Sequence, residues 1–444
     1  MEQLKRSVNQ IAYTSPTQNL SKLSFLQRSL TPFLFTASSI YKLALSLRHQ
    51  LYHLGFFRKH RLPVPVISVG NLTWGGNGKT PMVEFLALLF AKAGISPLIL
   101  TRGYAGGDEA KMLQRHLSET SAKIGVGANR TATAARFLEQ HGYLDLQSND
   151  RNEKLCTNQE VGVSSNLEKI SVVILDDGMQ HWRLSRDVEI VMVNGTKPWG
   201  NTRLIPLGPL REPLTSLKRA DVVVIHHADL VSDRDLKLLE LMIHEMKDDL
   251  PIFFTCLSPL CFFETNNCMS KMPLSVMRNR VVLCVSSIGS PDAFVQGTEK
   301  LGPLHVDRLD FSDHYSIQAK DIDMIKERLR KLHDCFGVKP VVVVTEKDYD
   351  RDPVILKDLC PFEVLVLTSR LQFISKARTG ECFQKLLKQL LTSKLSMSEE
   401  HDAVNLKNDI EDADSACHQV MPKVYWVRQN MPLEVTKLNL SHVS

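Results

Sequence analysis

The chain has 444 residues, 43% hydrophobic and 23% charged, with a formal net charge of +5. That ordinary globular composition excludes a fibrous or largely disordered protein, and the charge excess is too small and too scattered for a nucleic-acid groove. Nine cysteines stand without a C-x-x-C pair, which indicates neither a disulfide framework nor a zinc site and suits a reducing compartment.

The basic excess is local to the N-terminus, where Lys5, Arg6, Lys22, Arg28, Lys42, Arg48, Arg58 and Lys59 face the single acid Glu2 within residues 1–60. Met1–Lys22 is basic, Ser/Thr-containing and acid-poor, the pattern of an organelle transit peptide, and a mitochondrial address is expected. In residues 23–60 the uncharged run "SLTPFLFTASSIY" falls short of the roughly 18 residues that span a bilayer. It passes into "KLALSLRHQLYHLGFF", where leucines and aromatics mix with cations. Such an amphipathic helix either lies in a membrane interface, basic face toward anionic headgroups, or packs on the domain as a soluble helix; composition leaves both open.

Strand and helix signals alternate from residue 61 to about 391. "PVPVISVG" reads as a strand, "TPMVEFLALLFAKAG" as an amphipathic helix, "ISPLILTRGY" as a second strand and "NRTATAARFLEQHG" as a helix stopped by glycine. Residues 145–171 are polar and aperiodic, a surface insertion. "VVIL", "VEIVMV" and "DVVVIHH" are apolar on both faces, as in a parallel sheet covered by helices. A second set with the same rhythm runs from "PIFFTCL" through "RVVLCVSSIG", "SPDAFVQGTEKLG", "VDRLDF", a helix around Lys320–His333 and "PVVVVTEKD" to "EVLVL". The expected fold is therefore α/β. A core domain over 61–250 with a mostly parallel sheet flanked by helices is joined to a smaller α/β domain over 251–391, with a cleft between them as the natural site. Residues 392–444 read as a polar tail.

Between the first strand and helix stands "GNLTWGGNGKTP". Gly75, Gly76, Asn77 and Gly78 can form a nest of converging backbone N–H groups at a helix N-terminus, which binds polyphosphate. Lys79 would then reach the β and γ phosphates of ATP and Thr80 would hold Mg²⁺. Thr73, followed by Trp74, stands where the strict P-loop signature has glycine, but the strand–loop–helix context is the required one. A metal-binding carboxylate is expected at a neighbouring strand end, and "VVILDDGMQH" supplies Asp176 and Asp177; adjacent acids on an extended chain point apart, and which one faces the metal stays open. Gln180 and His181 share that turn. Arg102, Tyr104, Asp108 and Glu109 follow the second strand, where open α/β sheets place ligands. Asp313 and His314 in "FSDHYS" are the acid–base candidates of the second half.

Together, "VISVGNLTWGGNGKTP", "TRGY" with "GDE", "LDDGMQH", "GNTRLIPLGPLREPLTSLKRAD", "FSDHY" and "TEKD" resemble the tetraacyldisaccharide 4′-kinase family of lipid A synthesis. The resemblance implies a P-loop kinase that transfers the γ-phosphate of ATP, with Mg²⁺, to the 4′-hydroxyl of an acylated glucosamine disaccharide 1-phosphate, docked on a membrane surface through an N-terminal helix. It implies Asp108 as general base paired with His314, and Thr80, Asp176, Asp177 and Glu212 at the metal and phosphate region. Asn71, Arg102, Tyr104, Glu109 and Arg130 are implied near the sugar phosphate, with Gln180 and His181 beside them. Arg211 is implied as a charge neutraliser, and Thr345–Asp348 at the nucleotide pocket. Only Ala105 and Gly106 separate Tyr104 from Gly107, a shorter loop than the family usually has; the 145–171 insertion and the tail after Leu391 are extra, and with the basic leader they suggest an organelle-targeted eukaryotic relative. The competing reading is a P-loop NTPase switch or assembly factor, which needs no acceptor-orienting residues across the cleft.

Overall fold

The computed structural model describes residues 2–14, 24–103, 107–144, 169–375 and 378–394. Tyr104, most of the polar stretch 145–171 and the tail beyond 394 lie outside them. Ile170 and Ser171, counted with that stretch from sequence, instead open a buried strand.

The N-terminal segment forms two helices, α1 (Glu2–Tyr13) and α2 (Phe25–His53). Ser24 and Gln27 start α2 with a capping box, each side chain bonded to the other's backbone N–H. Gln27, Leu34, Ser38 and Leu45 are buried against the body. On the opposite face Leu26, Phe33, Ile40 and Leu47 recur every seven residues, each more than half exposed. By length and composition α2 is the one helix among the described residues that could cross a membrane.

The chain then enters β1 (Val66–Gly70), α3 (Lys79–Lys92), β2 (Ser96–Thr101), α4 (Asp108–Leu117), β3 (Lys123–Val126), α5 (Arg130–His141), β4 (Ile170–Asp176), β5 (Val188–Asn194), β6 (Val222–His226) and α6 (Asp233–Met246). β7 (Ile252–Glu264), β8 (Asn267–Met272), β9 (Val281–Ser286), α7 (Pro291–Glu299), β10 (His305–Asp310), α8 (Ala319–Phe336), β11 (Val341–Thr345), α9 (Glu346–Arg351) and β12 (Glu363–Phe373) follow. The twelve strands of the described residues belong to one sheet, ordered β10-β9-β11-β12-β7-β6-β5-β1-β4-β2-β3, with β8 on β7. Pairing is parallel except at β7–β12 and β7–β8.

The expected boundary near Leu250 falls just before β7, the strand through which the two parallel halves meet. Its first residues, from Ile252, run parallel to β6, and its remainder, to Glu264, runs antiparallel to β12. Parallel β-branched strands such as "VISVG" and "VEIVMVN" are buried along their whole length because helices cover both faces of the sheet. Phe85 of α3 meets Phe373 of β12, and Phe253 of β7 meets Phe373 and Phe383. An aromatic cluster thus closes the core beneath the junction of the halves. The described residues up to Leu391 form one compact unit.

Candidate active site

One cavity of about 680 Å³ opens between the strand ends of the two halves, lined by Thr73–Pro81, Arg102, Glu109, Arg130, Asp176, Asp177 and Arg211 from one side and by Asp313, His314 and Thr345–Lys347 from the other. The loop that follows β1 forms its floor. Gly75 and Gly78 take φ of 94° and 78°, and Gly78 lies so close to His226 that a Cβ would sit 2.5 Å from the imidazole. Only glycine satisfies both conditions. Thr73, the departure from the glycine signature, is cross-braced: its hydroxyl donates to Asn77 Oδ1 at 3.3 Å, and Asn77 Nδ2 donates to the carbonyls of Thr73 and Gly75 at 3.3 and 3.0 Å. The loop is held by these side-chain bonds at the position where the signature has glycine.

β4 is hydrogen-bonded to β1 with Val69 opposite Asp176, which sets the acidic strand end beside the loop. The two aspartates there have opposite surroundings. Asp177 adopts φ 53°, the left-handed backbone that Asp tolerates better than most residues. Its carboxylate accepts a fork of bonds from Arg211 at 2.6 and 2.8 Å and lies 3.5 Å from Lys79 Nζ. Burial opposes its charge, but Lys79 and Arg211 overcome that and hold its carboxyl far below the usual range. Asp176 accepts only from Thr101 Oγ1 at 3.2 Å, and its other oxygen is buried with no hydrogen-bond partner. Burial first, and then the Glu109 charge, push its carboxyl up. An orphaned, desolvated carboxylate oxygen in the same cavity wall as Thr80 is what a divalent cation would relieve. Among the described residues no three His, Cys, Asp or Glu side chains converge as a metal cage.

Glu212 does not join them. It is 1% exposed, and its carboxylate meets Arg219 at 2.6 Å, whose guanidinium lies over Trp182. Asn71 is fully buried, donates to Thr73 O at 2.6 Å and accepts from Arg211, so it supports the loop from beneath. Gln180 donates to Asn71 O at 3.0 Å, and the His181 imidazole is pushed down to about 4 by burial and the surrounding arginines. Both stand behind the cavity wall. Arg102, Glu109 and Arg130 line it, and Arg130, 3% exposed, donates to Asp177 O at 2.9 Å.

The second half contributes His314, at φ 60°. Its Nδ1 stands 3.4 Å from Asp108 Oδ2 and its Nε2 3.4 Å from Lys347 Nζ. Asp108 is 1% exposed and lies behind the imidazole, outside the cavity wall. It accepts the Glu109 N–H at 2.9 Å and Arg351 at 2.7 and 3.2 Å. Burial raises its pKa, but His314, Lys347 and Arg351 outweigh that and bring it to about 2. Since Lys347 can only donate to Nε2, the Nδ1 proton belongs on the side of Asp108, which leaves Nε2 as the basic nitrogen.

Sequence reading missed most of what knits the two walls. Arg351 clamps Asp108. Lys347 pairs with Glu109 at 2.9 Å. Arg115 bonds Asp350 and Glu346, and His116 sits between Glu84 of α3 and Glu346 of α9 at 2.9 and 2.7 Å. Although burial opposes it, those two carboxylates push the His116 pKa up to about 10. The only sequence sign was the helical spacing of Asp108, Glu109, Arg115 and His116, which lines up as a polar face only once α9 is known to lie opposite.

A phosphate loop between β1 and α3, with an acidic strand end beside it in a doubly covered parallel sheet, defines a P-loop α/β protein. The family model LpxK, described as tetraacyldisaccharide-1-P 4'-kinase, matches residues 30–390, and the chain belongs to that family. It is 52% identical over 399 residues to a probable tetraacyldisaccharide 4'-kinase, mitochondrial, of Arabidopsis thaliana, covering 90% of this chain and 100% of that protein. With the tetraacyldisaccharide 4'-kinase of Halothermothrix orenii it shares 31% identity over 331 residues, 71% of this chain and 82% of the relative. The crystal structure of LpxK from Aquifex aeolicus in complex with ATP superposes with a TM-score of 0.53 at 24% identity, over 83% of this chain and 100% of that one, a likeness of fold.

Proposed function

We propose that this protein transfers the γ-phosphate of ATP to the 4′-hydroxyl of a tetraacylated glucosamine disaccharide 1-phosphate, in mitochondria and at a membrane surface. The observation that carries this reading is the placement of Lys79, on the phosphate loop, and His314, backed by Asp108, on opposing walls of one cavity. A switch NTPase has no use for an acid–base pair on the wall facing its phosphates.

Phosphoryl transfer requires an oriented nucleophile and neutralised charge more than covalent help. Gly75–Gly78 and the N-terminus of α3 cradle the phosphates, and Lys79 follows the γ-phosphate. The apolar end of the cavity, with Leu230, Leu257, Leu274, Ile288, Phe294 and Leu301, takes the purine. Thr80 and Asp176 would hold Mg²⁺, which when bound neutralises charge on the phosphate oxygens; Asp177 is already committed to Arg211 and Lys79. Asp108 and His314 act as one acid–base unit. As the acceptor hydroxyl approaches Nε2, the long Lys347 contact to that nitrogen gives way and the hydroxyl proton passes to Nε2, while the Asp108 carboxylate, 3.4 Å from Nδ1, stabilises the imidazolium. Arg102 and Arg130 supply positive charge for the acceptor's own phosphate.

The exposed apolar stripe of α2 supports membrane docking. Leu26, Phe33, Ile40 and Leu47 would bury in the acyl boundary, with Arg28 and Lys42 near the headgroups. Purified protein incubated with labelled ATP, Mg²⁺ and the disaccharide 1-phosphate in detergent should yield a bisphosphorylated lipid. ATP hydrolysis unaltered by that lipid, with no label in it, would favour the switch reading.

A further inference from the structure

The first fourteen residues read from sequence as an address to be discarded, and the family match begins only at residue 30. The structure gives them partners. In the last turn of α1, where helix carbonyls lack partners of their own, Asn201 supplies two donors: its side-chain amide to Ile11 O at 3.1 Å and its backbone N–H to Ala12 O at 2.8 Å. The same amide also reaches Leu207 O at 2.9 Å. Gly200, with φ 54°, passes so close that a Cβ would lie 2.5 Å from Ala12 O. Ile11 packs with Leu34 of α2 and Leu207, and Ala12 is fully buried.

The segment that receives α1 is a strap to the phosphate loop. From Asn201 it runs on to Pro209, whose carbonyl accepts Trp74 N at 3.0 Å, and to Arg211, whose N–H donates to Leu72 O at 2.6 Å. α1 also reaches the loop directly, since the half-buried Tyr13 hydroxyl donates to Trp74 O at 3.4 Å. A peptide unit is planar and trans, so holding the Trp74 carbonyl toward Tyr13 aims the Gly75 N–H the opposite way. That N–H is the first of the nest.

We infer that Glu2–Tyr13 is a resident part of the folded enzyme and that Tyr13 is a positioning residue for the nucleotide loop. The inference rests on the kinase reading only in that ATP is the ligand. Its test is binding of a fluorescent ATP analogue with Mg²⁺ to the full chain, to Tyr13→Phe, to Tyr13→Ala and to a chain lacking residues 2–14, alongside steady-state kinetics. Loss of one long hydrogen bond in Tyr13→Phe should weaken nucleotide binding by roughly two- to fivefold, and Tyr13→Ala and the deletion should weaken it further. KM for ATP should rise in step, with kcat and KM for the acceptor within about twofold, a split that mere loosening of the fold would not give. Native nucleotide affinity in both Tyr13→Phe and the deletion would overturn the inference. So would a mature mitochondrial chain that begins after Tyr13. If the deletion fails to fold, Tyr13→Phe decides alone. Because the binding readout needs no lipid, failure of transfer to the disaccharide would sink the proposed function and leave this inference to its own result.

Discussion

Asp108→Asn separates a catalytic pair from a structural one. The amide keeps the shape of the side chain but has one acceptor oxygen for the Glu109 N–H, the Arg351 fork and His314 Nδ1. Removing one partner of a buried ion pair destabilises by about 3–5 kcal/mol. The lower figure applies, because Arg351 retains Asp348 at 2.9 Å, the Ser287 hydroxyl at 2.6 Å and Tyr315 O at 3.1 Å. Against a stability of about 5–15 kcal/mol, a loss of ~3 kcal/mol leaves at worst about 3% of molecules unfolded at 25 °C, with Tm lower by roughly 3–4 °C in a unit of this size. Unfolding therefore accounts for a few per cent of lost activity. If Asp108 fixes the His314 tautomer, kcat should instead fall by a factor on the order of 10²–10⁴, with KM for ATP little changed. The measurement is the initial rate of label transfer to the disaccharide 1-phosphate at saturating ATP, paired with a thermal melt. A variant that melts earlier but turns over within threefold of the parent would refute the acid–base assignment.

Three further outcomes follow from the same geometry. His116, raised to about 10, binds a proton in the folded state that the unfolded chain releases above about 6.5. Its contribution is complete below that pH and lost as pH rises through about 10, so stability should fall by about 1.4 kcal/mol per pH unit across that window; His116→Gln should flatten that slope in urea melts. Asp176→Asn should raise the Mg²⁺ concentration for half-maximal rate by tenfold or more, while Glu212→Gln, away from the cavity, should leave it within twofold; equal effects of the two would place the metal elsewhere. Replacing Phe33, Ile40 and Leu47 of α2 with Glu should abolish sedimentation with anionic vesicles and leave the rate on detergent-dispersed acceptor near the parent's. Retained vesicle binding would remove α2 from the docking surface.

The phosphate site was legible in the chain because its chemistry is local. Glycines with positive φ, Lys79 and Thr80 lie on consecutive residues, and the backbone of one strand, one loop and one helix builds the whole nest. Asp176 and Asp177 were legible as a strand end for the same reason. Their division of labour was not, because the orphaned oxygen of Asp176 and the Arg211 fork on Asp177 depend on a residue 34 positions away. Glu212 was named for the metal and phosphate region by the resemblance, with no local signal of its own. It is next to Arg211 in the chain, yet its carboxylate is buried against Arg219, away from the cavity lining. Arg351 had no signal at all, since nothing in "YDRDP" announces that α9 packs against α4.

By itself the sequence determined the alternation of buried parallel strands and amphipathic helices, the nest at residues 75–80 and the acids that follow β4, because periodicity and backbone freedom act over a few residues. Only the tertiary structure decided which carboxylate is left without a partner, that His314 rather than Asp108 faces the cavity, and that α1 reaches the phosphate loop. These depend on charge compensation and burial between segments up to some 240 residues apart, as for Asp108 and Arg351, and the electrostatic field at a buried group is set by whatever the fold brings within a few ångströms of it.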